Sequence, residues 1–247
     1  MVMPVPNPAR RCPMRPRRAP CGWRCPPALA LVLGSVLAAT LWLGTGCASS
    51  RTGADAVAHY GLPRNVYREA GRFPGEFKRV AVLPMMIAGQ DAVLENGRDA
   101  LQPIYHSELI RASRFEVIPV SPEQCRQWTG RSTWSAQDTL PRDFFERMRQ
   151  MTGCDAVLFS QLTRYRPYPP VAVGWRMQLV AVSPLRVWWA VDELFSAGDA
   201  VVADAARAYY RAHFSTPTGA DPDSILATPR RFGQFTLNLV TESLPTR

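Results

Sequence analysis

Two continuous apolar runs constrain this chain more than anything else in it. Val80-Ala81-Val82-Leu83 closes on Pro84, and Ala156-Val157-Leu158-Phe159 follows Asp155. Neighbouring side chains on a strand point to opposite faces, so a run that is apolar throughout has to bury both. Such strands belong in the middle of a sheet with cover on each side.

The stretches around these runs supply that cover. Residues 91–113 carry Leu94, Leu101, Tyr105 and Leu109 at helical spacing, and Pro103 predicts a kink or a late start. Residues 114–120 read as a second strand, weakened at Pro119. Ser121 caps a short helix with Pro122 in its first turn. Pro141 starts another helix, with Phe144, Phe145, Met148 and Met151 on one face and Gly153 at its end. After the third strand, 154–165, comes a Pro-rich loop over 166–174. Trp175, Met177, Leu179 and Ala181 then alternate with Arg176 and Gln178 as a fourth strand, and 185–193 returns as a fifth. A helix opening near Ser196-Ala197-Gly198-Asp199 carries a stripe of Val201, Ala205, Ala208 and Ala212. Residues 216–223 form a loop, and Thr228-Pro229 opens a last helix with Phe232, Phe235, Leu239 and Val240 inward. The expected class is α/β: a mixed sheet of about five strands packed with helices, in two or three layers.

The amino terminus reads differently. Residues 28–43 are almost wholly apolar, about the length of a signal h-region and short of the ~20 residues that span a bilayer. Arg10, Arg11, Arg15, Arg17, Arg18 and Arg24 precede them with no acid, which makes a positive n-region; Met14 is an alternative start. The run ends in Leu43-Gly44-Thr45-Gly46-Cys47, which resembles the lipobox of bacterial lipoproteins. That resemblance implies cleavage before Cys47, acylation of its thiol and anchoring in a lipid bilayer. Gly44 stands where the motif usually has Leu. The expected layout is a signal peptide over 1–46, an acylated amino terminus and tether over 47–76, and a periplasmic α/β domain with carboxy-terminal helices over 77–247. A coil of ~30 residues spans roughly 30 Å. Tyr60, Tyr67 and Phe73 predict that the second half of the tether packs onto the domain.

Processing changes what composition means. Of nine net positive charges, six are n-region arginines, so three remain on the mature chain. That is no footprint for nucleic acid, which calls for a strongly basic face. Of six cysteines, only Cys125 and Cys154 are left as thiols, in an oxidising compartment. Each stands at the opposite end of its strand from the other, so they are expected to stay unbonded.

The element order resembles a group of bacterial envelope α/β lipoproteins: the curli-secretion lipoproteins, the penicillin-binding-protein activators and the amino-terminal domain of the Tol-Pal periplasmic component. Val80-Ala81-Val82-Leu83-Pro84, Phe115-Glu116-Val117-Ile118 and Gly153-Cys154-Asp155-Ala156-Val157-Leu158-Phe159 carry the likeness. It implies a non-catalytic domain used for assembly, with envelope proteins as partners. It leaves oligomeric state open: a secretion-pore relative forms a ring, an activator a monomer. Ala48 in place of Asp after the lipidated Cys47 implies the outer membrane, periplasmic face, of a Gram-negative bacterium.

No catalytic, cofactor or metal motif is legible. His59, His106 and His213 lack metal-ligand spacing, and Asp192-Glu193 should point to opposite faces of a strand. The candidate partner contact is the stretch with Arg164, Tyr165, Arg166, Tyr168 and Trp175, expected to leave the sheet as a Pro-stiffened loop that cannot close into a ladder. A competing function is a peptidoglycan- or glycan-binding module that stacks sugars on Trp128, Trp134, Tyr168 and Trp175; exposure of those rings decides it.

Overall fold

The computed structural model describes residues 60–61, 63–214 and 221–247. The lipidation candidate Cys47, the signal segment and most of the tether lie outside the described residues. So does His59, and so does the 216–223 loop as far as residue 220.

The sheet is mixed and has seven strands. β1 (Val66–Arg68), β2 (Arg79–Val82), β3 (Met86–Ile87), β4 (Glu116–Pro119), β5 (Ala156–Arg166), β6 (Ala172–Val182) and β7 (Leu185–Ser196) lie in the order β1-β7-β6-β5-β2-β4, with β3 also on β5. β2 runs parallel to β4 and β5, whereas β5, β6, β7 and β1 are antiparallel in succession. Between β2 and β4 comes α1 (Ala92–Ala112); between β4 and β5 come α2 (Pro122–Thr129) and α3 (Phe144–Thr152). The first crossover moves out from β2 to β4 and the second returns from β4 past β2 to β5, so crossovers of one hand place their helices on opposite faces. After β7 come α4 (Ala200–Phe214), α5 (Ser224–Ala227) and α6 (Pro229–Glu242).

The apolar runs split between those faces as their period demands. Val80, Val82, Ala156 and Leu158 join a large core with α1, α4 and α6, whereas Ala81, Leu83, Val157 and Phe159 join a smaller one with Cys125, Phe144 and Met148. β4 is an edge strand. Glu116 N–H donates to Lys78 O and Val120 N–H to Val82 O, so Val117 and Pro119 turn their backbones outward. Pro119 therefore gives up a donor only at the open edge, where the loss costs the ladder nothing and discourages a foreign strand.

Several expectations need correction. α1 does not start late: Asp91 caps it and it runs unbroken through Pro103. Pro103 and Asp99, whose carbonyl it deprives of a donor, are both on the exposed side, where water substitutes. α3 buries Phe144 and Met148 but leaves Met151 54% exposed. In α4 the buried residues are Val202, Ala203, Ala205, Ala206, Tyr209 and Tyr210; Ala205 of the expected stripe is buried, whereas Ala208 is half-buried and Val201 and Ala212 are exposed. The inward face is broader than one stripe and takes in Tyr209 and Tyr210 beside the alanines.

The chain before β2 also belongs to the sheet. β1 pairs with β7, and Phe73 is buried and stacked on Phe77 at 4.5 Å between centroids. The carboxy terminus meets it: Phe73 N–H donates to Thr246 O and Thr246 N–H to Gly71 O. α6 buries Phe232, Phe235, Leu239 and Val240 as its spacing predicts. It approaches α1 so closely that a Cβ on Gly233 would sit 2.3 Å from Leu101 Cδ2.

Candidate functional site

The candidate contact stretch folds as one end of the β5–β6 hairpin, and it does close into a ladder. Arg164 pairs with Gly174, Tyr165 with Val173 and Arg166 with Ala172. The prolines sit in the short connection 167–171, so their missing donors fall outside the ladder. Thr163 is a bulge, because the register shifts between Leu162 and Arg164. Gly174 is required opposite it, since a Cβ there would lie 2.5 Å from Thr163 Oγ1.

The five candidate side chains do not converge. Trp175 is buried in the large core, and its indole N–H donates to Thr236 Oγ1 of α6 at 2.9 Å. It is a core anchor and no contact residue; alternation put it inward once β6 started at Ala172. Tyr165 is half-buried against α1, where Gly97 has no room for a Cβ (2.5 Å to Tyr165 Cγ). Burial pushes its phenol pKa up. Arg166 is spent locally, its Nε donating to Pro170 O.

Two members remain free. Tyr168 is 76% exposed at the tip, and Arg164 is exposed and makes no ion pair among the described residues. The structure adds a third: Leu194 of β7, 58% exposed, pairs with Gly174, which pairs with Arg164. Arg164, Gly174 and Leu194 thus form one row across three strands. The signal for Leu194 was available, since Asp192 and Leu194 share a strand face and only one of them is polar.

The four rings proposed to stack sugars form no platform. Trp134 is buried in the small core, its N–H on Thr129 Oγ1 at 2.7 Å and its ring edge-on to Phe144. Trp175 lies in the opposite core and Trp128 is half-buried; only Tyr168 projects. The glycan-binding reading loses its basis.

Several titratable groups are spent on structure. Asp192 pairs with Arg176 at 2.8 Å, while Glu193 Oε2 accepts from the Arg64 and Asn65 backbones, so the two acids do separate tasks. Cys125 and Cys154 are free and buried, and burial raises both thiol pKa values, away from the reactive thiolate. His213 Nδ1 lies 3.0 Å from Tyr209 O, with its ring stacked on that tyrosine; burial lowers the pKa of His106. Among the described residues no three His, Cys, Asp or Glu gather as a metal site, and no helix is long and apolar enough to cross a membrane.

A second feature lies at the other end of the sheet. A cleft of about 420 Å³ opens beside the β6–β7 turn and the start of β5. Its walls include Phe77, Trp188, Cys154, Arg149, Arg186 and Glu76.

No protein-family model matches this chain, and no curated protein matches it. Solved structures similar to it include the lipoprotein GNA1162 from Neisseria meningitidis (20% identity, TM-score 0.34, covering 48% of this chain and 79% of that one). The PelC dodecamer from Paraburkholderia phytofirmans is 14% identical with a TM-score of 0.38, over 74% of this chain and 98% of that one. The LpoB C-terminal domain from Salmonella enterica is 16% identical with a TM-score of 0.32, over 58% and 94%. Identities and scores this low carry nothing about function.

Proposed function

We propose that this chain is a lipid-anchored protein of the bacterial envelope, and that its α/β domain is a non-catalytic adaptor or assembly factor working through protein contact. The observation that carries the reading is the apolar run ending in Gly44-Thr45-Gly46-Cys47 after an arginine-rich, acid-free leader. Acylation of Cys47 would hold the domain at the periplasmic face, and Ala48 favours the outer membrane. Two buried acyl chains at ~0.8 kcal/mol per CH₂ resist a salt wash. Partner contact falls to the hairpin end, where Tyr168 offers a large ring with few rotatable bonds and Arg164 an unspent guanidinium beside Leu194.

Metabolic palmitate labelling of wild type and Cys47→Ser tests the anchor. We expect loss of label and release into the soluble fraction; label retained on the variant refutes it. Crosslinking in intact envelope tests the adaptor role: Arg164→Ala with Tyr168→Ala should weaken specific crosslinks and leave stability within about 1 kcal/mol.

A further inference from the structure

The cleft beside the β6–β7 turn has unusual construction for a surface depression. Between Leu179 and Val180 the β6–β7 register shifts, so that Leu179 pairs with Trp189 and Val180 with Val187. Trp188 is the extra residue. A bulge re-aims its side chain: Trp189 goes to the core, its N–H on Ser243 Oγ at 3.0 Å, while half-buried Trp188 lines the cleft. The Arg186 guanidinium lies over the Trp188 ring at 5.6 Å, and the Phe77 ring centroid is 6.1 Å from it. Trp188 therefore gives the cleft an aromatic wall, with buried Phe77 behind it, and the volume of about 420 Å³ falls in the roughly 300–1,000 Å³ range of ligand pockets.

Its charges sort into used and unused. Asp155 Oδ2 already accepts from the Lys78 and Arg79 backbones at 2.8 and 2.9 Å. Arg186 is paired with Glu69 at 3.1 Å. Arg149 and Glu76 also line the cleft, and neither side chain has an ion pair or hydrogen bond among the described residues. Both are exposed, so neither is costly to keep waiting. One free cation, one free anion and an aromatic wall match a ligand that carries both charges and an apolar group between them.

We infer that this cleft binds a short zwitterionic peptide, its carboxylate on Arg149, its ammonium on Glu76 and an apolar side chain against Trp188. The site stands independently of the lipid anchor and of the hairpin end, which is at the other end of β5 and β6. Arg is suited to the carboxylate because its planar fork can donate twice.

The experiment is a titration of the full chain in detergent with alanyl-phenylalanine, read by the Trp188 indole N–H resonance, which Trp188→Phe identifies. We expect that resonance to move with a dissociation constant on the order of 1 mM or tighter, while the buried Trp134 and Trp175 signals stay in place. Arg149→Gln and Glu76→Gln should each weaken binding about tenfold, the loss of one charged hydrogen bond. The same dipeptide acetylated and amidated should bind at least tenfold more weakly. No movement of the Trp188 signal, or equal binding of the blocked peptide, overturns the inference. The blocked-peptide comparison decides even if a substitution unfolds the chain.

Discussion

The two faces of the sheet are covered unequally, and the inequality separates what holds this domain together from what it can present. On one face α1, α4 and α6 bury a continuous core that takes in side chains of β2, β5, β6 and β7. On the other, α2, α3 and the segment around Trp134 cover β2 and β5, pack on Val180, Val182 and Val187, and touch the middle of β6 through the Arg176–Gln137 hydrogen bond. Beyond them the outer rows of β6 and β7 are left to Arg176, Asp192 and Leu194, all at least partly exposed. The difference follows from how much helix each face receives, since α4 and α6 both add to α1 on the large core. The α1 helix alone has 21 residues, whereas α2 and α3 have 8 and 9 and are joined by a loop.

Three substitutions would break or sharpen that contrast. The largest effect belongs to the large core. Trp175→Ala should cost about 3–5 kcal/mol in denaturant unfolding, from lost burial and the cavity left against α6. A loss under 1 kcal/mol would mean that α6 closes over the gap and the large core is soft. In the small core, Thr129→Val removes the acceptor of the buried Trp134 N–H at 2.7 Å. An orphaned buried donor costs about 1–3 kcal/mol. If the variant is neutral, the region around Trp134 opens to water and the small core is a mobile cover. The smallest effect belongs to the uncovered rows. Arg176→Gln breaks the 2.8 Å pair with Asp192, whose side chains are 37% and 45% exposed, and the exposed 3.1 Å hydrogen bond to Gln137 Oε1. It should cost at most about 1 kcal/mol and less in high salt. A larger loss would show that the open face is structural.

Legibility in the sequence followed the same division. The runs at 80–83 and 156–159 were readable because their burial is set by covalent geometry: adjacent side chains must diverge. The Ser121 cap was readable because a hydroxyl two or three residues before free backbone N–H groups has a local partner, and Gln124 completes the box. The last helix was readable because Phe232, Phe235 and Leu239 keep one phase. The hairpin end was not. Its prolines counted against a ladder, but whether they interrupt one depends on register, and register is set across strands rather than along one. That single choice moved Trp175 from a surface to the core, and Tyr165 onto α1.

What the sequence determined by itself is the class of the fold, its central strands and its helix caps. These depend on neighbours a few residues away, and the chain fixes them covalently. Only the tertiary structure decided which aromatic rings are anchors and which are offered to solvent. It also decided that β1 joins the sheet, that Leu194 stands beside Arg164, and that Trp188 lines a cleft with Arg149 and Glu76. Those placements depend on two bulges and on which strand each residue pairs with. A one-residue shift in register exchanges the two faces, and no stretch of this chain read alone carries that information.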